Sequence, residues 1–300
     1  NRESSSYTNK PSVLLYQQLL HHYEVFPFLL EYLNGIGIVP DLYILPGNIP
    51  ENEWLDILKS LYDFNIIHNI TNYYDIGILP TVVDKHHKDY LSSTMKNSER
   101  VIGITHTDAD IPIFNKHKSS TKLKIIYLRP VKNFIVPTFK LISNKYNYVS
   151  NVPIMLILGN HLNNPLLDFT KVTNLSDFQI IYITRRLYLN KSIQNTPGVI
   201  THTDMGTFAM INTCLAARYI ISMSNHTVRY GCQSGSLNMA YTTCCQLILK
   251  NKDKKRYKLK TPIAIEEITY LNPMPDFNAI MNERDNLINQ RNKVLYQMIK

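Results

Sequence analysis

The stretch Ala217-Arg-Tyr-Ile-Ile-Ser-Met-Ser-Asn-His-Thr-Val-Arg-Tyr-Gly-Cys-Gln-Ser-Gly-Ser-Leu-Asn-Met-Ala240 decides how this chain is read. It opens as a short apolar, β-branched run, continues through polar residues, and closes on a small-residue turn that starts a helical pattern. In an open α/β sheet such a strand delivers the chain to the carboxyl edge, where ligands bind. The first N–H groups of the helix that follows have no partner within it. With the helix dipole they favour an anion such as a diphosphate, and Gly235 lets that anion approach the backbone closely. Ser236 reads equally as a plain N-cap.

Working outward, the second half repeats this alternation. Pro153-Ile-Met-Leu-Ile-Leu-Gly159 is a continuous apolar run, as a parallel strand covered on both faces would be. Residues 178–184, 219–223 and 246–249 read as further strands, and 207–218 and 236–245 as helices. Residues 162–169 can begin another helix. The basic run 250–260 reads as a solvated loop. In the first half, short apolar runs at 65–68, 76–83, 101–105 and 124–128 read as strands, as does Asp41-Leu-Tyr-Ile-Leu-Pro-Gly47. A helix is predicted from Pro11 through Phe26, on the spacing of Val13, Leu14, Leu15, Leu19, Leu20 and Tyr23, and another over 51–61. The C-terminal stretch 276–300 is a long amphipathic helix with Phe277, Ile280, Leu287, Val294 and Met298 on its apolar side. The expectation is an α/β protein of two Rossmann-like domains, 1–145 and 146–275, with mostly parallel sheets facing a cleft and helix 276–300 packing back across both.

Composition narrows the function classes. The chain has 300 residues, 44% of them hydrophobic, enough for one large core or two modest ones. Lys and Arg exceed Asp and Glu by 32 to 23, a net +9 that favours an anionic partner. An Asn-, Ile-, Lys- and Tyr-rich, Gly-poor composition is what AT-rich coding produces, which inflates the basic count. No helix-turn-helix, zinc finger or RNP-like pattern accompanies the charge, so nucleic acid is not the expected partner. Cys214, Cys232, Cys244 and Cys245 include no Cys-x-x-Cys pair and read as buried free thiols in a reducing compartment. No run of 18 apolar residues is present, so no membrane span is expected. The opening Asn-Arg-Glu-Ser-Ser-Ser has neither an initiator Met nor a signal-peptide pattern, compatible with one domain of a longer protein. The expected location is cytoplasmic.

The octapeptide Gln233-Ser-Gly-Ser-Leu-Asn-Met-Ala240 resembles the Asp-Ser-Gly-Pro-Met-His-Leu-Ala signature of heptosyltransferases, members of the two-Rossmann GT-B class of glycosyltransferases. Ser234, Gly235 and Ala240 coincide with it, and Leu237 and Met239 keep its apolar character. Gln233 and Asn238 depart from it, replacing the acid and the His. The resemblance spans about 100 residues of the second half. It implies metal-independent transfer of a sugar from a nucleotide sugar, the co-substrate, to a glycan or other hydroxyl acceptor, with no resident cofactor. It also implies a diphosphate at Ser234, Gly235, Ser236 and Asn238, and a base or ribose near Thr203-Asp204-Met205-Gly206. Arg185 and Arg186, just after a strand, are candidates to compensate phosphate charge or are a surface pair. Asn160, in Gly159-Asn160-His161, would face the cleft.

Transfer requires a base for the acceptor hydroxyl. Asp108, Asp110 and His106 follow an apolar strand in the first half and are the candidates; the alternative is a capped surface turn. Ile104-Thr-His-Thr-Asp108 recurs as Ile200-Thr-His-Thr-Asp204, either as equivalent loops of two related halves or by coincidence. Three competing readings remain. Asp108-Ala-Asp110 looks like the Asp-x-Asp metal motif of GT-A transferases, where a divalent ion shares the diphosphate. A GT-B-shaped epimerase would need acid/base carboxylates, and Glu266 and Glu267 are the second-half pair. A non-catalytic nucleotide- or nucleic-acid-binding module would show binding that weakens steeply with salt.

Overall fold

The computed structural model describes residues 10–17, 25–44, 53–80, 88–105, 122–127, 138–222 and 235–300. The first half contributes β1 (Val13–Gln17), α1 (Phe26–Gly35), β2 (Asp41–Ile44), α2 (Trp54–Leu61), β3 (Asn65–Ile67), β4 (Tyr74–Leu79), α3 (Lys88–Lys96), β5 (Ser98–Thr105) and β6 (Leu123–Tyr127). The second contributes β7 (Ile154–Leu158), β8 (Gln179–Thr184), α4 (Lys191–Gln194), β9 (Val199–Thr203), α5 (Thr207–Ala216), β10 (Tyr219–Ile221), α6 (Gly235–Thr242), β11 (Gln246–Leu249), α7 (Asn251–Tyr257) and β12 (Ile263–Ala264). The chain closes with α8 (Phe277–Ile299).

Two sheets result, each with parallel pairing between its described strands. The first runs β3-β2-β1-β4-β5-β6 and the second β12-β11-β10-β7-β8-β9. Read from its β9 edge, the second has the order of the first, the doubly wound order with its reversal between the first and fourth strands. The two halves therefore share one topology.

Burial explains why these segments are strands. All five residues of β7 are buried, and they divide by parity between the two faces of the sheet. Ile154, Leu156 and Leu158 pack with Leu237, Ala240 and Tyr241 of α6, while Met155 and Ile157 pack with Leu166, Phe169 and Ile265. Edge strand β9 instead alternates half-buried and exposed residues, and so lacks the continuous apolar signal.

Several expectations are corrected. Residues 13–17 are not helical: β1 lies between β2 and β4 at the centre of the first sheet, and its apolar run is covered on both faces. Residues 162–169 give a 3₁₀ turn, Pro165–Phe169, rather than an α-helix. The basic run is not a loop, because 251–257 form α7. The recurring Ile-Thr-His-Thr-Asp motif does not mark equivalent loops. One copy begins in β5, the fifth strand of its sheet, and the other lies in β9, the third strand of its own.

Helix α8 packs across both halves. Leu295 and Ile299 join the core of the first sheet and Leu287 that of the second. Its buried face includes two arginines, each about 1% exposed. The Arg284 guanidinium donates to the Ile142 carbonyl (2.9 Å) and to Cys244 Sγ (2.9 Å). The Arg291 guanidinium donates to the Thr138 carbonyl and to Glu31 Oε2 of α1 (3.3 Å), and lies over the Phe28 ring. Of the apolar positions read from the sequence, Val294 and Met298 are only partly buried.

Candidate active site

The described part of the carboxyl edge of the second sheet is assembled from the segments after β7, β8 and β9 and the start of α6. After β7, Gly159 takes a left-handed φ of +83°, and its N–H donates to the Ile183 carbonyl (2.9 Å). A side chain there would be strained, although nothing crowds its Cβ position. Asn160 is half-buried beside it. His161 turns inward: Nε2–H donates to the Leu158 carbonyl (3.0 Å), and Nδ1 is buried without a partner. Burial lowers its pKa from 6.5 to about 4, so the ring is neutral.

After β10, helix α6 starts at Gly235. Gly235 is exposed, and a Cβ placed on it meets no atom within 4 Å. Ser236 is buried inside the first turn, so it is not the N-cap. Its Oγ–H donates to Ser222 Oγ (2.7 Å), tying the start of α6 to the residue that follows β10. Asn238 is half-buried in the same helix, and no acidic residue lies in the first turn. Ser234 lies outside the described residues. The result is a helix N-terminus whose exposed first residue has no described atom close to its Cβ position, after the strand at which the order reverses.

After β8 and β9, Arg185 and Arg186 are both exposed. The Arg186 N–H donates to Asp204 Oδ1 (3.0 Å), and its side chain forms an ion pair with Oδ2 (3.6 Å). This pair is solvent-exposed and weak. It brings two of the sequence-derived candidates together and commits part of the Arg186 charge. Asp204 itself has φ +55°, unusual for a residue with a side chain. Gly206 precedes α5.

The structure also adds a residue that the sequence did not single out. Glu53, just before α2 in the first half, places its Oε2 2.5 Å from the Phe208 N–H in the first turn of α5. Both its oxygens lie 3.2 Å from where a Gly206 Cβ would be. The carboxyl edges of the two sheets therefore meet at this point. An acid in the first turn of a predicted helix was visible in sequence, but nothing local marked its partner 155 residues away.

Asp108, Asp110 and His106 lie outside the described residues; β5, which ends at Thr105, leads into them. Glu266 and Glu267 serve a different purpose. Glu266 accepts from the Asn251 N–H (2.9 Å) at the start of α7, and Glu267 accepts from Asn251 Nδ2 (3.2 Å). These contacts give the pair a capping role rather than that of an acid/base couple. Among the described residues, no group of three His, Cys, Asp or Glu side chains is arranged to hold a metal ion.

No protein-family model matches this chain, and no curated protein matches it in sequence. Solved structures do match in shape. The chain is similar to AviGT4, a glycosyltransferase involved in avilamycin A biosynthesis, at 10% identity and a TM-score of 0.56, over 96% of this chain and 97% of that one. It is also similar to an alpha-glucosyltransferase solved with UDP and a 13-mer DNA, at 9% identity and a TM-score of 0.51, over 96% of each chain. Nearly full-length superposition in both directions, with the same strand order in each sheet, identifies the architecture: this chain has the two-Rossmann GT-B fold.

Proposed function

We propose that this protein is a glycosyltransferase that moves a sugar from a nucleoside-diphosphate sugar to a hydroxyl acceptor without a metal ion. The supporting observation is the start of α6 after β10, with exposed Gly235 uncrowded by any described residue and the Ser236–Ser222 bond tying the helix to the end of the strand segment. In this reading 146–275 holds the donor and 1–145 presents the acceptor. The diphosphate sits on the α6 amides beside Ser234, Gly235, Ser236 and Asn238. Arg185 adds compensating charge, and Asn160 lines the same edge. The loop 203–206 contacts the base or ribose, with Asp204 and Gly206 as its donor-side residues.

The acceptor oxygen attacks the anomeric carbon as the bond from that carbon to the diphosphate oxygen breaks. The acceptor proton passes to Asp108, Asp110 or His106. The departing diphosphate carries the developing charge, and fixed N–H groups aimed at it stabilise the transition state with no reorganisation. A uridine or guanosine nucleotide sugar is the donor sought; the similar alpha-glucosyltransferase structure contains UDP. Buried free Cys214, Cys244 and Cys245 fit a reducing, cytoplasmic setting.

A thermal-shift panel of nucleotide sugars and bare nucleotides tests this reading. One member should raise Tm by about 5 °C at a concentration on the order of 100 Kd, and Gly235→Asp should remove the shift while leaving the ligand-free Tm unchanged. A panel without any shift at millimolar concentration would sink the proposal. Transfer abolished by a chelator would instead favour the metal-dependent alternative at Asp108 and Asp110.

A further inference from the structure

We infer that Glu53 is a positioning residue that latches the carboxyl edges of the two halves together from the first half. Helix α5 has no acidic residue in its first turn, no basic residue in its last, and no side-chain cap. Both of its ends are nonetheless matched by charge from elsewhere. Buried Lys145, in the linker 138–153 that leads into β7, donates from Nζ to the Cys214 (3.1 Å) and Leu215 (2.6 Å) carbonyls at the C-terminal end. At the N-terminal end, Glu53 accepts from the Phe208 N–H. A carboxylate at a helix N-terminus and an ammonium at its C-terminus are the favourable pairings with the macrodipole.

The two contacts differ in kind. Lys145 is fully buried and part of the packed linker, a permanent contact. Glu53 is half-buried where the two halves meet. Its contact joins the halves directly, bypassing the linker and α8. Gly206 makes the approach possible, because a Cβ there would stand against both carboxylate oxygens at 3.2 Å. A single charge-assisted bond at a wet edge is strong enough to bias a domain equilibrium and weak enough to release within a binding cycle. Opening admits the nucleotide sugar, and closing brings the 204–208 loop back toward the first half. That last step rests on the transferase reading; the latch itself does not.

Spin labels at exposed Lys59 on α2 and Asn212 on α5 would report the separation of the halves by pulsed electron paramagnetic resonance. The ligand-free wild type should give a narrow distance distribution. Glu53→Ala removes the acceptor, and Gly206→Ala displaces it from the opposite side at a backbone conformation (φ −59°, ψ 152°) that alanine adopts freely. Both variants should shift to longer, broader distributions with unchanged circular dichroism. Whichever nucleotide sugar raises Tm in the panel should narrow the Glu53→Ala distribution again. A distribution of wild-type width in either ligand-free variant would overturn the inference. Broadening that no nucleotide sugar reverses would uphold the latch and count against the donor reading alone.

Discussion

Gly235, Ser236 and His161 act on the site in different ways. Gly235 leaves the space in front of α6 open, and Ser236 spends its hydroxyl on Ser222, so the helix start is aimed before any ligand arrives. His161 is a structural residue behind the Gly159 turn, and its burial makes it a pH liability. Its folded-state pKa, about 4, lies below the ordinary 6.5, so the unfolded chain binds its proton first. The stability it contributes is complete above pH 6.5 and declines as pH falls toward 4, by roughly 3 kcal/mol across the window. Urea unfolding of wild type and His161→Gln between pH 7 and 4 checks this: the variant should lose about 3 kcal/mol less than the wild type. Parallel declines would show that this imidazole does not titrate as described. Part of the site was legible in sequence, because a small-residue turn before a helix needs only local information. The Ser222 partner was not, since it lies 14 residues back at the far end of the intervening loop.

Among elements, α8 carries the largest gap between pattern and structure. Its amphipathic run and its path across both halves follow from the sequence. Its two buried arginines do not, because a charged side chain in such a run reads as solvent-facing. Their partners are Ile142 and Thr138 in the linker and Glu31 on α1, separated by 142, 153 and 260 residues. Burial lowers the Arg291 pKa, and the Glu31 carboxylate opposes that shift. Removing one partner of such a pair strands the other, so Arg291→Ala should destabilise the protein by roughly 3–5 kcal/mol, read from the denaturation midpoint. A cost below about 1 kcal/mol, the range of surface pairs, would refute the buried contact. Strand β1 was misread for a related reason. Leu19, Leu20, Tyr23 and Phe26 extend its apolar run at helical spacing, and only its place between β2 and β4 settles the matter. Strand β7, buried on both faces, needed no such context.

At the scale of the molecule, two sheets of one strand order face each other and are joined by a linker and a terminal helix. The restart at Pro153 made the second half readable as a Rossmann unit, since its central strands are continuous apolar runs. The first half was readable only as alternation, because its central strand was assigned to a helix. Neither half's own residues predict which edges meet; the bond from the Phe208 N–H of α5 to Glu53 settles that in the folded chain. The arrangement places the α6 N-terminus at the reversal of the second sheet. Solving the protein with a bound nucleoside diphosphate is the most direct examination of this assignment. The phosphates should lie within about 3 Å of the first α6 amides, beside Gly235. Phosphates seated instead in the hollow of Lys10, Ser12, Asp75 and Arg100, on the far edge of the first sheet, would contradict it.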